Sequence, residues 1–87
     1  MNLKSINGGI LKMFIVQEIQ TSNGSTALVT PAQYPTREQA ESAFYQACGY
    51  AVVSQVEEHT VMVYTHEGFA IPELTKCFKH PAAEPAE

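Results

Sequence analysis

Few side chains in this chain could bind a metal or take part in catalysis. The 87 residues include three histidines, two cysteines and nine acidic residues, all of them glutamates. Cys77 and His80 are the one close pair of potential ligands, and no second pair has the spacing that a zinc site needs. The sequence therefore predicts no metal and no other cofactor.

Both cysteines are predicted to be free thiols. Cys48 falls on an apolar helical stripe, where a small core residue is expected. Cys77 stands beside Lys76 and near Lys79, a better setting for a thiolate, but an ordinary strand residue is the simpler interpretation. A single disulfide would help a secreted chain of this size little, since such chains normally carry several. These features favour a cytoplasmic protein.

No residue pattern in the chain is typical of an enzyme. Glu57-Glu58-His59 could supply an acid–base group, but a polar connection into a strand is expected, because one helix over a sheet offers hardly any pocket. Gly24 and Gly68 fit hairpin turns rather than a phosphate-binding loop. We therefore predict a non-enzymatic protein, with no catalytic and no cofactor-binding residues.

The charge balance argues against direct binding to nucleic acid. Five basic residues against nine acidic ones give a net charge of −4, the wrong sign for gripping phosphate backbones. No segment approaches the roughly 20 apolar residues of a membrane-spanning helix. The glutamates are spread along the chain, which favours plain solvation; an acidic inhibitor of a host nucleic-acid-binding protein stays an alternative.

Two hairpins are predicted on either side of one helix. Residues 13–21 are rich in β-branched side chains, and Asn23-Gly24 signals a tight turn into residues 26–30. Pro31 and Pro35 are expected to end this edge strand in a loop. The second hairpin runs from residues 59–65 through a Gly68 turn to residues 69–71; Pro72 interrupts the pairing and residues 76–80 resume it.

The helix is predicted to begin after Thr36 and to continue to about Val53. Thr36 and Gln39 have the spacing of a capping box. The apolar positions that follow recur at helical spacing and form one stripe, namely Ala40, Ala43, Phe44, Ala47, Cys48 and Ala51.

These elements predict an α+β fold of order ββαββ. The expected sheet is antiparallel and four-stranded, in the order 2-1-3-4, with the helix on one face and residues 13–80 as a single domain. Residues 81–87 are expected to be a disordered tail. Residues 1–12 are interpreted as a mis-called leader, because the codons for Gly8-Gly9 could form a ribosome-binding site ahead of Met13; a translated disordered arm is the alternative.

The face of the sheet away from the helix is predicted to mediate self-association. The side chains expected to meet the helix are those of Phe14, Val16, Val61 and Val63. Because successive strand residues alternate between faces, four other apolar side chains then lie on the opposite face. These are Ile15, Ile19, Met62 and Tyr64. A half-solvated antiparallel sheet normally has polar residues there. We therefore expect a homo-oligomer, most simply a twofold dimer packed sheet to sheet.

Several segments carry a resemblance to a family. They are MFIVQEIQT at 13–21, AES at 40–42 followed by Phe44, AVVS at 51–54 with Val56 and His59, Glu67-Gly68, and CFKH at 77–80. Through them, residues 13–80 resemble small uncharacterised proteins encoded by phages and prophages of Gram-positive gut bacteria. The resemblance implies a bacterial host cell and a local insertion at residues 72–75. It implies no activity and no catalytic residue.

Two classes of function stay open. The first is an oligomeric interaction or structural module, either a small virion component or a binder of a host protein. The second is a small ligand-binding protein or enzyme whose site lies between subunits. Because the sequence shows no convergent set of polar residues, the first is preferred.

Overall fold

The computed structural model describes residues 12–80 of the chain. Their elements follow the order β1 (Phe14–Ser22), β2 (Ser25–Leu28), β3 (Ala32–Tyr34), α1 (Arg37–Val52), β4 (Glu58–Thr65) and β5 (Ala70–Lys79). Apart from Lys12, the predicted leader or arm lies outside the described residues, as does the predicted C-terminal tail.

The strands form one antiparallel sheet in the order β2-β1-β4-β5, and β3 also pairs with β1. The predicted α+β fold and the predicted strand order are confirmed. The structure adds a fifth, short strand, β3, which was not predicted.

The extra strand, β3, occupies the predicted loop between Pro31 and Pro35. β2 pairs only with the end of β1 from Ile19 to Ser22, which leaves the backbone from Phe14 to Val16 without partners on that edge. β3 provides those partners. Because a residue that precedes a proline is held extended, the two prolines bound a short edge strand rather than exclude one.

Both predicted hairpin turns are confirmed. Asn23 and Gly24 have φ of 54° and 78°, and the pair Ser22–Ser25 closes a two-residue turn between β1 and β2. Gly68 has φ of 96° and donates its N–H to the carbonyl oxygen of Thr65 at 2.8 Å, between β4 and β5.

The helix α1 has the predicted cap and the predicted apolar stripe. The Thr36 hydroxyl accepts the N–H of Gln39 at 3.2 Å. Val53 caps the other end. Five of the six predicted stripe residues are buried, namely Ala40, Phe44, Ala47, Cys48 and Ala51, and Ala43 is partly buried against the same core.

The core lies between α1 and one face of the sheet. Val16, Val61 and Val63 are buried there against the helix, with Phe14 partly buried beside them. The predicted choice of covered face is therefore confirmed.

Pairing between β4 and β5 is irregular around Pro72, as expected. Met62 pairs with Thr75 and Tyr64 with Ala70, so β5 advances five residues while β4 advances two. The bulge is closed by the Thr75 hydroxyl, which donates to the Ile71 carbonyl oxygen at 2.9 Å. It turns Leu74 into the core, where this side chain is 1% exposed.

Candidate functional site

The sheet face away from α1, here called the open face, brings the four predicted association residues together. Ile15 lies opposite Tyr64, Gln17 lies opposite Met62, and Ile19 lies opposite Thr60. The four apolar side chains therefore stand on the neighbouring central strands β1 and β4. All four are half-buried by their neighbours in the sheet, while the helix contacts the other face.

Leu28 enlarges this apolar surface and was not predicted. It lies opposite Ile19 and is 68% exposed. The sequence did contain a signal for it, because the Asn23-Gly24 turn fixes the register and thereby pairs Leu28 with Ile19 on the open face.

Gln17 is a polar residue in the centre of the open face, but the chain itself satisfies its amide. Its Nε2 donates to the Val29 carbonyl oxygen at 2.6 Å, and its Oε1 accepts from the Tyr64 hydroxyl at 3.2 Å. The side chain is 9% exposed. A second surface can therefore cover the centre of the open face without leaving this amide unpaired.

Formal charge on the open face is confined to one end. Glu58 and Lys79 lie opposite each other there. The other paired positions that residues 12–80 contribute to this face are apolar or uncharged polar residues. The centre of the face is therefore suited to contact with another apolar surface.

The two cysteines lie on opposite faces of the sheet. Cys77 is exposed and lies opposite Thr60 on the open face, while Cys48 is a buried residue of α1 that faces the covered side of the sheet. Burial raises the pKa of the Cys48 thiol above its usual value; Lys76 partly offsets this and Glu18 adds to it. The fold thus keeps the two thiols apart, with Cys77 accessible and Cys48 buried with a raised pKa.

The residues that could suggest a metal or an acid–base group diverge. His80 directs its Nε2 to the Ala51 carbonyl oxygen at 2.9 Å, at the end of the helix, away from Cys77. Glu57 Oε1 accepts the N–H of Asn23 at 3.2 Å, Glu58 is exposed, and His59 is buried. Among residues 12–80, no cluster of three or more potential ligands could hold a metal ion.

His59 and Glu18 form a pair under the helix that was not predicted. His59 is 4% exposed, and its Nε2 lies 2.8 Å from Glu18 Oε1. Its Nδ1 is buried without a hydrogen-bond partner among the described residues. Strand alternation puts both side chains on the covered face, so two polar residues at core-facing positions were the available signal.

Comparison of the chain with protein-family models, with curated proteins and with solved structures finds no match. No helix within residues 12–80 has both the length and the apolar character needed to cross a membrane.

Proposed function

We propose that this protein is a non-enzymatic interaction module that forms a twofold homodimer, with the open faces of two copies packed against each other. The observation that carries the proposal is the apolar, centrally uncharged open face, which α1 leaves uncovered because it packs on the other face. Ile15, Ile19, Met62 and Tyr64 would form the centre of the interface, with Leu28 beside them.

The apolar character of the open face favours contact with a second copy over exposure to water. Antiparallel sheets that face water carry polar residues on that side, whereas here apolar side chains of β1 and β4 share the face with Leu28 of β2, which lies opposite Ile19. A twofold contact uses the same patch on both copies, so an uncharged centre brings no repulsion between two acidic proteins.

The limited core also favours association. The buried stripe of α1 consists of three alanines, Cys48 and a single large side chain, Phe44. A domain of this size rarely obtains more than about 3–5 kcal/mol from its own core. Burial of the open face would add apolar contact area that the helix does not provide.

The biological setting is part of the proposal and rests on the resemblance of residues 13–80 to phage and prophage proteins. In that setting the dimer would act in the cytoplasm of a bacterial host, as a small virion component or as a binder of a host protein. A converging polar set on the open face would favour a catalytic site between subunits instead; the residues there are mainly aliphatic and threonine side chains.

Sedimentation equilibrium at micromolar concentration tests the dimer. We expect a mass near twice the 9.5 kDa of one chain. Met62→Glu should convert the dimer to monomer, because it introduces a charge at the centre of the open face. Tyr45→Glu is the matched control: Tyr45 is 59% exposed on α1, so this variant should stay dimeric. A strictly monomeric wild-type protein would contradict the proposal.

A further inference from the structure

A groove opens on the covered side of the sheet, where α1 overhangs the edge formed by β1 and β3. Val16 and Glu18 of β1 form its floor, Tyr34 of β3 forms one wall, and Gln46 and Tyr50 of α1 form the other. Its volume is about 190 Å³. The groove is open because the residues of α1 that line it include the small Ala43 and Ala47, and because β3, opposite them, has only three residues.

Glu18 gives this groove a carboxyl group that pairs with no lysine or arginine of residues 12–80. Its side chain is 28% exposed, and its Oε1 is held by His59. Within residues 12–80, Glu18 Oε2 has no hydrogen-bond partner, and no lysine or arginine lines the groove. The contact of 2.8 Å between His59 Nε2 and Glu18 Oε1 holds the carboxyl group in one orientation.

Lys76 is not the counter-ion of Glu18. It pairs across the sheet with Val61, which in turn pairs with Glu18. Lys76 is therefore two strands away from Glu18, on the side opposite to β3 and the groove. Among residues 12–80, neither Lys76 nor another lysine or arginine pairs with the carboxyl group of Glu18, which is therefore open to an added cation.

The other polar groups of the groove suit an organic cation. Tyr34 of β3 and Tyr50 of α1 both line it, and aromatic rings attract ammonium groups. The volume is below that of pockets for drug-sized ligands, so a single head group fits. We propose that the groove binds an alkylammonium group, with Glu18 as its counter-charge and with Tyr34 and Tyr50 flanking it.

This site is independent of the proposed dimer, because it lies on the other side of the sheet from the open face. Failure of one proposal would leave the other unaffected. Sedimentation equilibrium tests the dimer, and ligand titration tests the groove.

The test is a titration of the full-length, ¹⁵N-labelled protein with n-butylammonium chloride, followed by amide chemical shifts. Saturable shifts are expected at groove residues such as Glu18, Thr30 and Gln46, with a dissociation constant on the order of 1–10 mM for one ion pair and two weak aromatic contacts. Sodium chloride at equal ionic strength and sodium butyrate should give no saturable shifts there. Their absence with n-butylammonium as well would overturn the proposal.

Variants show whether the groove itself binds the cation. Glu18→Gln keeps an oxygen for His59 but removes the charge, so binding should weaken at least about tenfold. Glu67→Gln removes the same charge from the β4–β5 turn and should leave binding unchanged. Equal affinity of the Glu18→Gln variant and the wild type would overturn the proposal.

Tyr50→Leu provides a second variant that does not disturb the fold. Tyr50 is 65% exposed, and loss of its ring should weaken binding about two- to fivefold. If Glu18→Gln does not fold, an unchanged affinity in Tyr50→Leu contradicts the proposal by itself.

A parallel titration with N-acetyl-lysinamide distinguishes two sources of the same group. Tighter binding of n-butylammonium would assign the site to a free amine. Tighter binding of the lysine derivative would assign it to a lysine side chain of another protein. Either result supports an alkylammonium site.

Discussion

The bond between Tyr64 and Gln17 shows how a polar residue is accommodated in an apolar sheet face. The Tyr64 hydroxyl donates to Gln17 Oε1 at 3.2 Å, and the amide continues to the Val29 carbonyl oxygen. This chain of bonds links β4 and β1 to the segment between β2 and β3. It fixes the Tyr64 ring at the position where we expect the second copy to pack.

Tyr64→Phe should lower the free energy of unfolding by about 1 kcal/mol, because a part-buried Gln17 oxygen loses its donor. Urea denaturation at one fixed protein concentration measures the change. Tyr45→Phe removes a hydroxyl from an exposed ring on α1 and should change stability by less than about 0.5 kcal/mol. Equal effects of the two variants would mean that the Tyr64 bond contributes nothing.

Among the five strands, those with local signals were predictable and the one without was not. The Asn23-Gly24 turn, the Thr36 cap and the alanine-rich stripe are each specified by residues close in sequence, and each was predicted. β3 has no such signal between its two prolines. It forms because β2 is too short to pair with all of β1, which is a property of the assembled sheet.

The open face could also be predicted from local sequence signals, whereas the groove could not. Alternation along β1 and β4 was enough to predict the four apolar residues of the open face. The groove required the position of β3, and the Glu18–His59 pair required the register between two strands that are distant in sequence. Alternation places Glu18 and His59 on the covered face, but only the register between β1 and β4 shows that the two side chains meet.

The bulge in β5 is the element whose role depends most on tertiary structure. The residues around Pro72, where an insertion was expected, form this bulge, and it directs Leu74 into the core. An edge strand with a bulge and a proline also pairs poorly with other chains. Thus the irregular stretch both contributes to the core and protects the sheet edge.

Leu74→Ala should lower the free energy of unfolding by about 2–5 kcal/mol, as for other fully buried leucines. Val53→Ala is the control, since Val53 is 75% exposed and should change stability by less than about 0.5 kcal/mol. Thermal or urea unfolding measures both. A small effect at Leu74 would mean that the bulge does not anchor β5.

At the scale of the domain that residues 12–80 form, one helix over one sheet produces two faces with different chemistry. The covered face combines the core with the Glu18 groove, while the open face is apolar and carries its formal charge at one end. Binding of an alkylammonium group and dimerisation would therefore use separate surfaces of the same small domain. A dimer with two outward-facing grooves follows from the two proposals together.

Cys77 can report which surface forms the dimer, since it is an exposed thiol on the open face. At low protein concentration Cys77 should react quickly with a thiol reagent. Cys48 should react slowly, because burial raises its pKa and lowers its thiolate fraction.

As the concentration rises through the dimerisation range, Cys77 should react more slowly, while Cys48 serves as the internal reference. Met62→Glu should keep Cys77 fast at every concentration, and Tyr45→Glu should behave as the wild type does. If Cys77 stays equally reactive while sedimentation reports a dimer, the two copies meet through a surface other than the open face.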